Sequence, residues 1–148
     1  MAADTTDTTR TPTALSAETF EDAISAEGIV LVDFWAQWCG PCRAFAPVFE
    51  AAAAQHGDIR FAKVDTEAEH SLAGGLGIRS IPTLMAFRDG ILLHAQPGAL
   101  PAPALEQLIT AVRDVDMDEV RRRVAAEEAT RNGPDGAGPA DAQANVTG

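Results

Sequence analysis

From Ile29 to Trp35 the chain is apolar at every position but Asp33. A run of that length without alternation suits a central strand covered on both faces. On its N-terminal side, Phe20, Ala23 and Ile24 recur at helical spacing. They predict a helix over Ala17–Ala26, with Ser16 as N-cap and Gly28 as its stop. Thr19 stands where a capping box would need Glu, so the box is incomplete. Thr13–Leu15 predicts a short edge strand, and the polar, Thr-rich residues 1–12 read as a disordered segment.

Beyond Trp35 a loop carries Trp38 to Gly40, and Pro41 suits a first helical position, where its missing N–H costs nothing. The helix it opens should reach about His56, with Phe45, Val48, Phe49 and Ala52 as its core stripe and a kink at Pro47. Gly57-Asp58 then turns into a strand, Ile59–Val64. Strand, helix, strand in that order implies a parallel pair with a right-handed crossover. Thr66–Ala73 reads as a short helix cut off by Gly74-Gly75. Thr83–Arg88 and Ile91–Ala95 are strands joined by Asp89-Gly90, a strong hairpin signal. Pro101 to about Val115 is a last core helix, with Leu105, Leu108, Ile109 and Val112 on one face.

The pattern weakens after Val115. Asp116–Arg131 lacks Gly and Pro, and Asp118–Arg122 and Glu119–Arg123 are favourable i,i+4 pairs, so a further helix is expected there. Its apolar face is thin. Residues 132–148 are mostly Gly, Pro, Ala and Asp, the composition of a disordered tail. The expected organisation is therefore a core domain over 13–115 between two tails, with an added helix over 116–131.

Composition narrows the function. The 148 residues, 46% of them hydrophobic, provide for one core and contain no apolar run long enough to span a membrane. The net charge of -11 repels phosphate backbones and argues against nucleic-acid binding. No secretory apolar segment follows the N-terminus, so the expected compartment is the cytoplasm. Asn145-Val146-Thr147 matches a glycosylation acceptor, which has no meaning in that compartment.

The two cysteines, Cys39 and Cys42, stand three positions apart. In a cytosolic chain with a strand–helix–strand pattern, that spacing reads as a redox motif. Dithiol exchange needs an exposed thiolate and a second thiol close behind it. Residues three apart share a helical face, so the sulfurs can meet. The free N–H groups and partial positive charge of the helix N-terminus favour a thiolate at Cys39. Cys42, expected to be more buried, would then resolve the mixed disulfide. Half of a zinc site is a competing reading, but His56, His70 and His94 are widely scattered, and tetrahedral zinc needs four ligands. A c-type haem site would need His where Arg43 stands. A structural disulfide is a third reading, disfavoured where the cytosol keeps thiols reduced. Asp33, inside the apolar strand, should be desolvated and so have a raised pKa. It either exchanges a proton with Cys42 or points into a water pocket at the strand end. By its position alone, Pro82 is a strand boundary.

Val32-Asp33-Phe34-Trp35-Ala36-Gln37-Trp38-Cys39-Gly40-Pro41-Cys42-Arg43 resembles the active-site stretch of thioredoxins. The resemblance continues through Phe61-Ala62-Lys63-Val64-Asp65, Gly77-Ile78-Arg79-Ser80-Ile81-Pro82-Thr83-Leu84 and Pro97-Gly98-Ala99-Leu100, and covers roughly Ala14–Val115. It implies an α/β thioredoxin fold, a central mixed sheet of four to five strands with helices on both faces. It implies that Cys39 is the nucleophile, Cys42 the resolving thiol and Asp33 the buried acid/base, with Lys63 close to Asp33. It implies a cis Pro82 against the disulfide, and a client surface around Trp38, Gly40, Pro41, Ile81, Pro82 and Gly98. Reducing power would come from a flavin-containing thioredoxin reductase that uses NADPH, neither cofactor binding this chain. Clients would be disulfide-containing proteins, and the chain a monomer. The uncharged Gly40-Pro41 lacks the His often found there in oxidants of the wider superfamily, which points to a reductant. Gln37, the Gly74-Gly75-Leu76 stretch and the tail depart from the family's usual pattern. The tail motivates an alternative, a thioredoxin-fold binding or chaperone-like module whose extension docks a partner.

Overall fold

The computed structural model describes residues 11–131. The disorder expected of both ends lies outside the described residues, except at Thr11 and Pro12, of which Pro12 is buried. Five strands are β1 (Thr13–Ala14), β2 (Ile29–Trp35), β3 (Arg60–Asp65), β4 (Thr83–Arg88) and β5 (Ile91–Pro97). The helices are α1 (Phe20–Ile24), α2 (Gly40–Gln55), α3 (His70–Gly75), α4 (Ala102–Arg113) and α5 (Met117–Arg131). The chain forms two compact units that divide between Arg113 and Asp114, so α5 falls in the second.

The strands form one sheet in the order β1-β3-β2-β4-β5. β3 runs parallel to β1 and β2, while β4 is antiparallel to β2 and β5. β2 is thus central, as its unbroken apolar run required. Side chains alternate along a strand, so β2 feeds two cores. Ile29 and Leu31 pack with Phe45, Phe49, Ala52 and Ala53 of α2 and with Leu105, Ile109 and Val112 of α4. Val30, Val32 and Phe34 pack on the other side with Phe20 and Ala23 of α1. By the same alternation Asp33 belongs to the face that α2 covers.

Three elements differ from expectation. α1 is only Phe20–Ile24, because Ser16 does not cap it. The Ser16 N–H instead donates to Thr19 Oγ1 at 2.9 Å, and the local turn this closes uses up residues 17–19. α3 starts later than expected, since Asp65 Oδ1 accepts the N–H groups of Glu67 and Ala68 in an Asx turn. Gly74 and Gly75 do not break α3 but form its last turn. The stop is Gly77, with φ +76°, flanked by bonds from Gly77 N–H to Gly74 O and from Ile78 N–H to Ala73 O. That is a Schellman end. In α5, Glu119 pairs with Arg123 as expected, but Asp118 pairs with Arg121. Such exposed pairs contribute little to stability. The hairpin is as expected: Asp89 and Gly90 both take positive φ, the requirement of a type I′ turn.

Protein interiors are close-packed, so small losses should register in the core between the sheet, α2 and α4. Ile109→Val is expected to cost roughly 0.5–1.5 kcal/mol. The check is a lower denaturant midpoint at unchanged slope.

Candidate active site

β2 ends at Trp35, and the chain turns through Ala36 into α2. The Ala36 carbonyl accepts the Cys39 N–H at 3.2 Å. Cys39 is extended (φ -89°, ψ 115°) and is the N-cap of α2, with Gly40-Pro41-Cys42 as the first turn. Its Sγ accepts the backbone N–H of Cys42 at 3.2 Å. A sulfur therefore holds the place that a Ser or Asp oxygen takes at an ordinary cap. Cys39 and Cys42 are disulfide-bonded, with Cα atoms 5.2 Å apart.

The expected contrast in exposure is not found in this oxidised form. Cys39 is 4% exposed and Cys42 2%. Both cysteines are buried in a small cluster with Ala36, against which Trp35 and Ile81 pack. Cys39 Sγ lies 3.7 Å from the Ile81 carbonyl oxygen. Position at the cap, rather than exposure, is what distinguishes the two cysteines.

The Ile81–Pro82 peptide is cis, as the resemblance implies and as position alone did not. Pro82, expected among the client-surface residues, is fully buried. Its carbonyl accepts the Gly98 N–H at 2.8 Å, which ties the loop after β5 to the loop before β4. Trp38, Gly40, Pro41 and Gly98 are exposed and Ile81 is half-buried. Trp38 in particular is 66% exposed, although its ring is large and apolar. Its Nε1–H donates to Glu67 Oε2 at 2.9 Å. Sequence reading missed Glu67. The signal for it was the parallel pairing of β2 with β3, whose ends Trp35 and Asp65 are in register and so bring the following loops together. Arg43 reaches back across the same turn to donate to the Gln37 carbonyl at 2.8 Å.

On the face of β2 that α2 covers, Asp33 is 3% exposed, and its Oδ1 has no hydrogen-bond partner among the described residues. Burial drives its pKa from 3.8 up to about 7, and the Lys63 charge opposes part of that rise. Lys63 is the register neighbour of Asp33 on β3, and its Nζ lies 5.1 Å from the centre of the Trp35 ring. Among the described residues no group of three His, Cys, Asp or Glu side chains is placed to hold a metal ion.

A disulfide spanning the first turn of a helix, with its outer sulfur accepting a helix N–H, is built to open into a stabilised thiolate. The class this defines is the thiol–disulfide oxidoreductases on a thioredoxin fold. The thioredoxin family model matches residues 11–111. A putative thioredoxin 2 of Streptomyces coelicolor is 51% identical over 115 residues, 78% of this chain and 86% of that one. A thioredoxin of Bacillus subtilis is 42% identical over 88 residues, 59% of this chain and 85% of its own. A solved mutant thioredoxin from Halobacterium salinarum superimposes with a TM-score of 0.66 at 36% identity, covering 72% of this chain and 94% of that one. The chain belongs to the thioredoxin family.

Proposed function

We propose that the protein is a protein-disulfide reductase that works through Cys39 and Cys42. In the reduced form the Cys39 thiolate attacks one sulfur of a client disulfide. A mixed disulfide forms, and the client's other sulfur leaves as a thiolate. Cys42 then loses its proton and attacks Cys39 Sγ, which expels the second client sulfur. Two electrons have passed to the client, and the Cys39–Cys42 disulfide remains. The observation that carries this reading is the 3.2 Å contact from the Cys42 N–H to Cys39 Sγ, which favours negative charge on the attacking sulfur. Asp33 receives the Cys42 proton. With a pKa of about 7, both of its protonation states are populated near neutrality, as a general base requires.

Clients dock on the surface of Trp38, Gly40, Pro41, Ile81 and Gly98, with Pro82 as its backing. An extended client strand pairs with backbone beside Ile81. A flavin-containing thioredoxin reductase returns the disulfide to the dithiol at the expense of NADPH. The protein acts as a monomer in the cytoplasm, whose poise keeps client thiols reduced. Its acidic surface disfavours nucleic acid. No helix among the described residues is long and apolar enough to cross a membrane.

The test is reduction of insulin by the purified chain with NADPH and a thioredoxin reductase. NADPH consumption coupled to release of the insulin chains is expected. Absence of insulin reduction by the chemically pre-reduced protein would overturn the reading.

A further inference from the structure

Trp35, at the disulfide end of β2, is a large aromatic that the exchange steps leave without a role. Its ring belongs to the cluster that covers Cys39 and Cys42. Its Nε1–H is buried and has no hydrogen-bond partner among the described residues. An unpaired buried donor costs free energy, so the indole is not retained for its N–H. What the ring does present is its face, and over that face sits the Lys63 ammonium, 5.1 Å from the ring centre. Of the aromatic side chains, Trp attracts a cation to its face most strongly.

The sheet register sets what this contact competes with. Lys63 stands directly beside Asp33 on the neighbouring parallel strand, and Trp35 is the next residue of β2 on the same face. The flexible stem of Lys63 lets its ammonium reach either the carboxyl or the ring. Yet Asp33 Oδ1 receives no hydrogen bond, and no ion pair joins the two side chains among the described residues. The ammonium rests on the ring instead. The other neighbours leave this choice to Trp35. Leu84, the partner of Asp33 on β4, is apolar, and the cysteines are tied in the disulfide. Asp65, the partner of Trp35 on β3, accepts the Glu67 and Ala68 N–H groups through Oδ1, and no ion pair joins it to Lys63 among the described residues.

We propose that Trp35 is a positioning residue whose indole face holds the Lys63 ammonium off the Asp33 carboxyl, leaving Asp33 free to take the Cys42 proton. This rests on the proton-transfer role assigned to Asp33 above. A Lys63 ammonium that closed on Asp33 would hold it as a carboxylate in an ion pair, a weaker base for Cys42. Parked on the ring, Lys63 still acts on Asp33 through space but does not bond to it.

The experiment is an NMR titration of the Asp33 side-chain carboxyl carbon in the oxidised protein, where no thiol titrates beside it. It compares wild type, Trp35→Leu, Trp35→Phe and Lys63→Met with the two double variants at these sites. In Trp35→Leu the ammonium falls onto the carboxyl, and the Asp33 midpoint is expected to drop by about one pH unit or more. Trp35→Phe keeps an aromatic face and should fall between wild type and Trp35→Leu. In the Lys63→Met background neither Trp35 substitution should move the midpoint. A rise or no change in Trp35→Leu would overturn the proposal, because Lys63 would then not be held back by the ring. A drop that persists without Lys63 would also overturn it, because the ring would then act by excluding water. Should Trp35→Leu fail to fold, Trp35→Phe with and without Lys63 separates the same outcomes on a smaller shift. Insulin reduction by the wild type is scored separately, so failure of the positioning role and failure of the reductase reading are distinguishable.

Discussion

Asp33→Asn is expected to stabilise the oxidised protein by on the order of 4 kcal/mol at pH 8 and by almost nothing near pH 4. Burial raises the Asp33 pKa from 3.8 to about 7 in the folded chain. Between those values the native state holds a proton that the unfolded chain has lost. The stability linked to that proton is complete below pH 3.8 and disappears as pH rises through 7. At about 1.4 kcal/mol per pH unit, the interval amounts to roughly 4 kcal/mol once the native carboxyl is ionised. Asn has nearly the same shape and never ionises, so it escapes this loss. Guanidinium unfolding of both proteins at pH 4, 6 and 8 reads the effect directly. The curves should coincide at the lowest pH and separate progressively above it. A constant gap at all three values would mean that Asp33 is not the titrating group. The same substitution removes the proposed proton acceptor, so insulin reduction should slow while stability rises. Strain or desolvation retained against stability is the mark of a working site.

Much of this was legible along the chain. A single acid in an apolar strand is expected to be desolvated, and the structure finds Asp33 buried. The central place of β2 follows from its unbroken apolar run and the Asp89-Gly90 turn from turn chemistry, whereas the helices on both faces came from the resemblance. What was not legible depended on contacts distant in sequence or on local competition. The Trp38–Glu67 bond forms only once β2 and β3 are aligned. Helix α1 lost its first turn to a Ser16–Thr19 hydrogen bond, and α3 began late because Asp65 capped an Asx turn. Ser, Thr and Asp serve a helix cap and a turn equally well, so residue type alone did not decide between them. The cis geometry at Pro82 came from resemblance, since neither hydrophobic pattern nor spacing carries that information. The burial of Cys39 was hidden because exposure was inferred from the role of a nucleophile, whereas the disulfide-bonded cysteine is 4% exposed.

That last point sharpens the second prediction. Both Cys39→Ser and Cys42→Ser should reduce insulin at background rate, because a serine hydroxyl is not ionised at neutral pH and forms no disulfide. The two should fail differently. In Cys42→Ser the N-terminal thiolate survives, still accepting the residue 42 N–H, and attacks clients normally. With no resolving sulfur, the mixed disulfide accumulates as a covalent adduct that dithiothreitol releases. In Cys39→Ser the remaining thiol lies in the first turn of α2, away from the cap position, and is 2% exposed in the oxidised form. It should form no adduct on the same timescale. Non-reducing electrophoresis and intact mass after mixing with oxidised insulin distinguish the two variants. Adducts on Cys39→Ser but not on Cys42→Ser would exchange the roles of the cysteines. Because the two cysteines differ by so little in exposure, only the electrostatics of the cap argue against such a reversal. The adduct pattern therefore measures whether one N–H at a helix N-terminus is enough to choose the nucleophile.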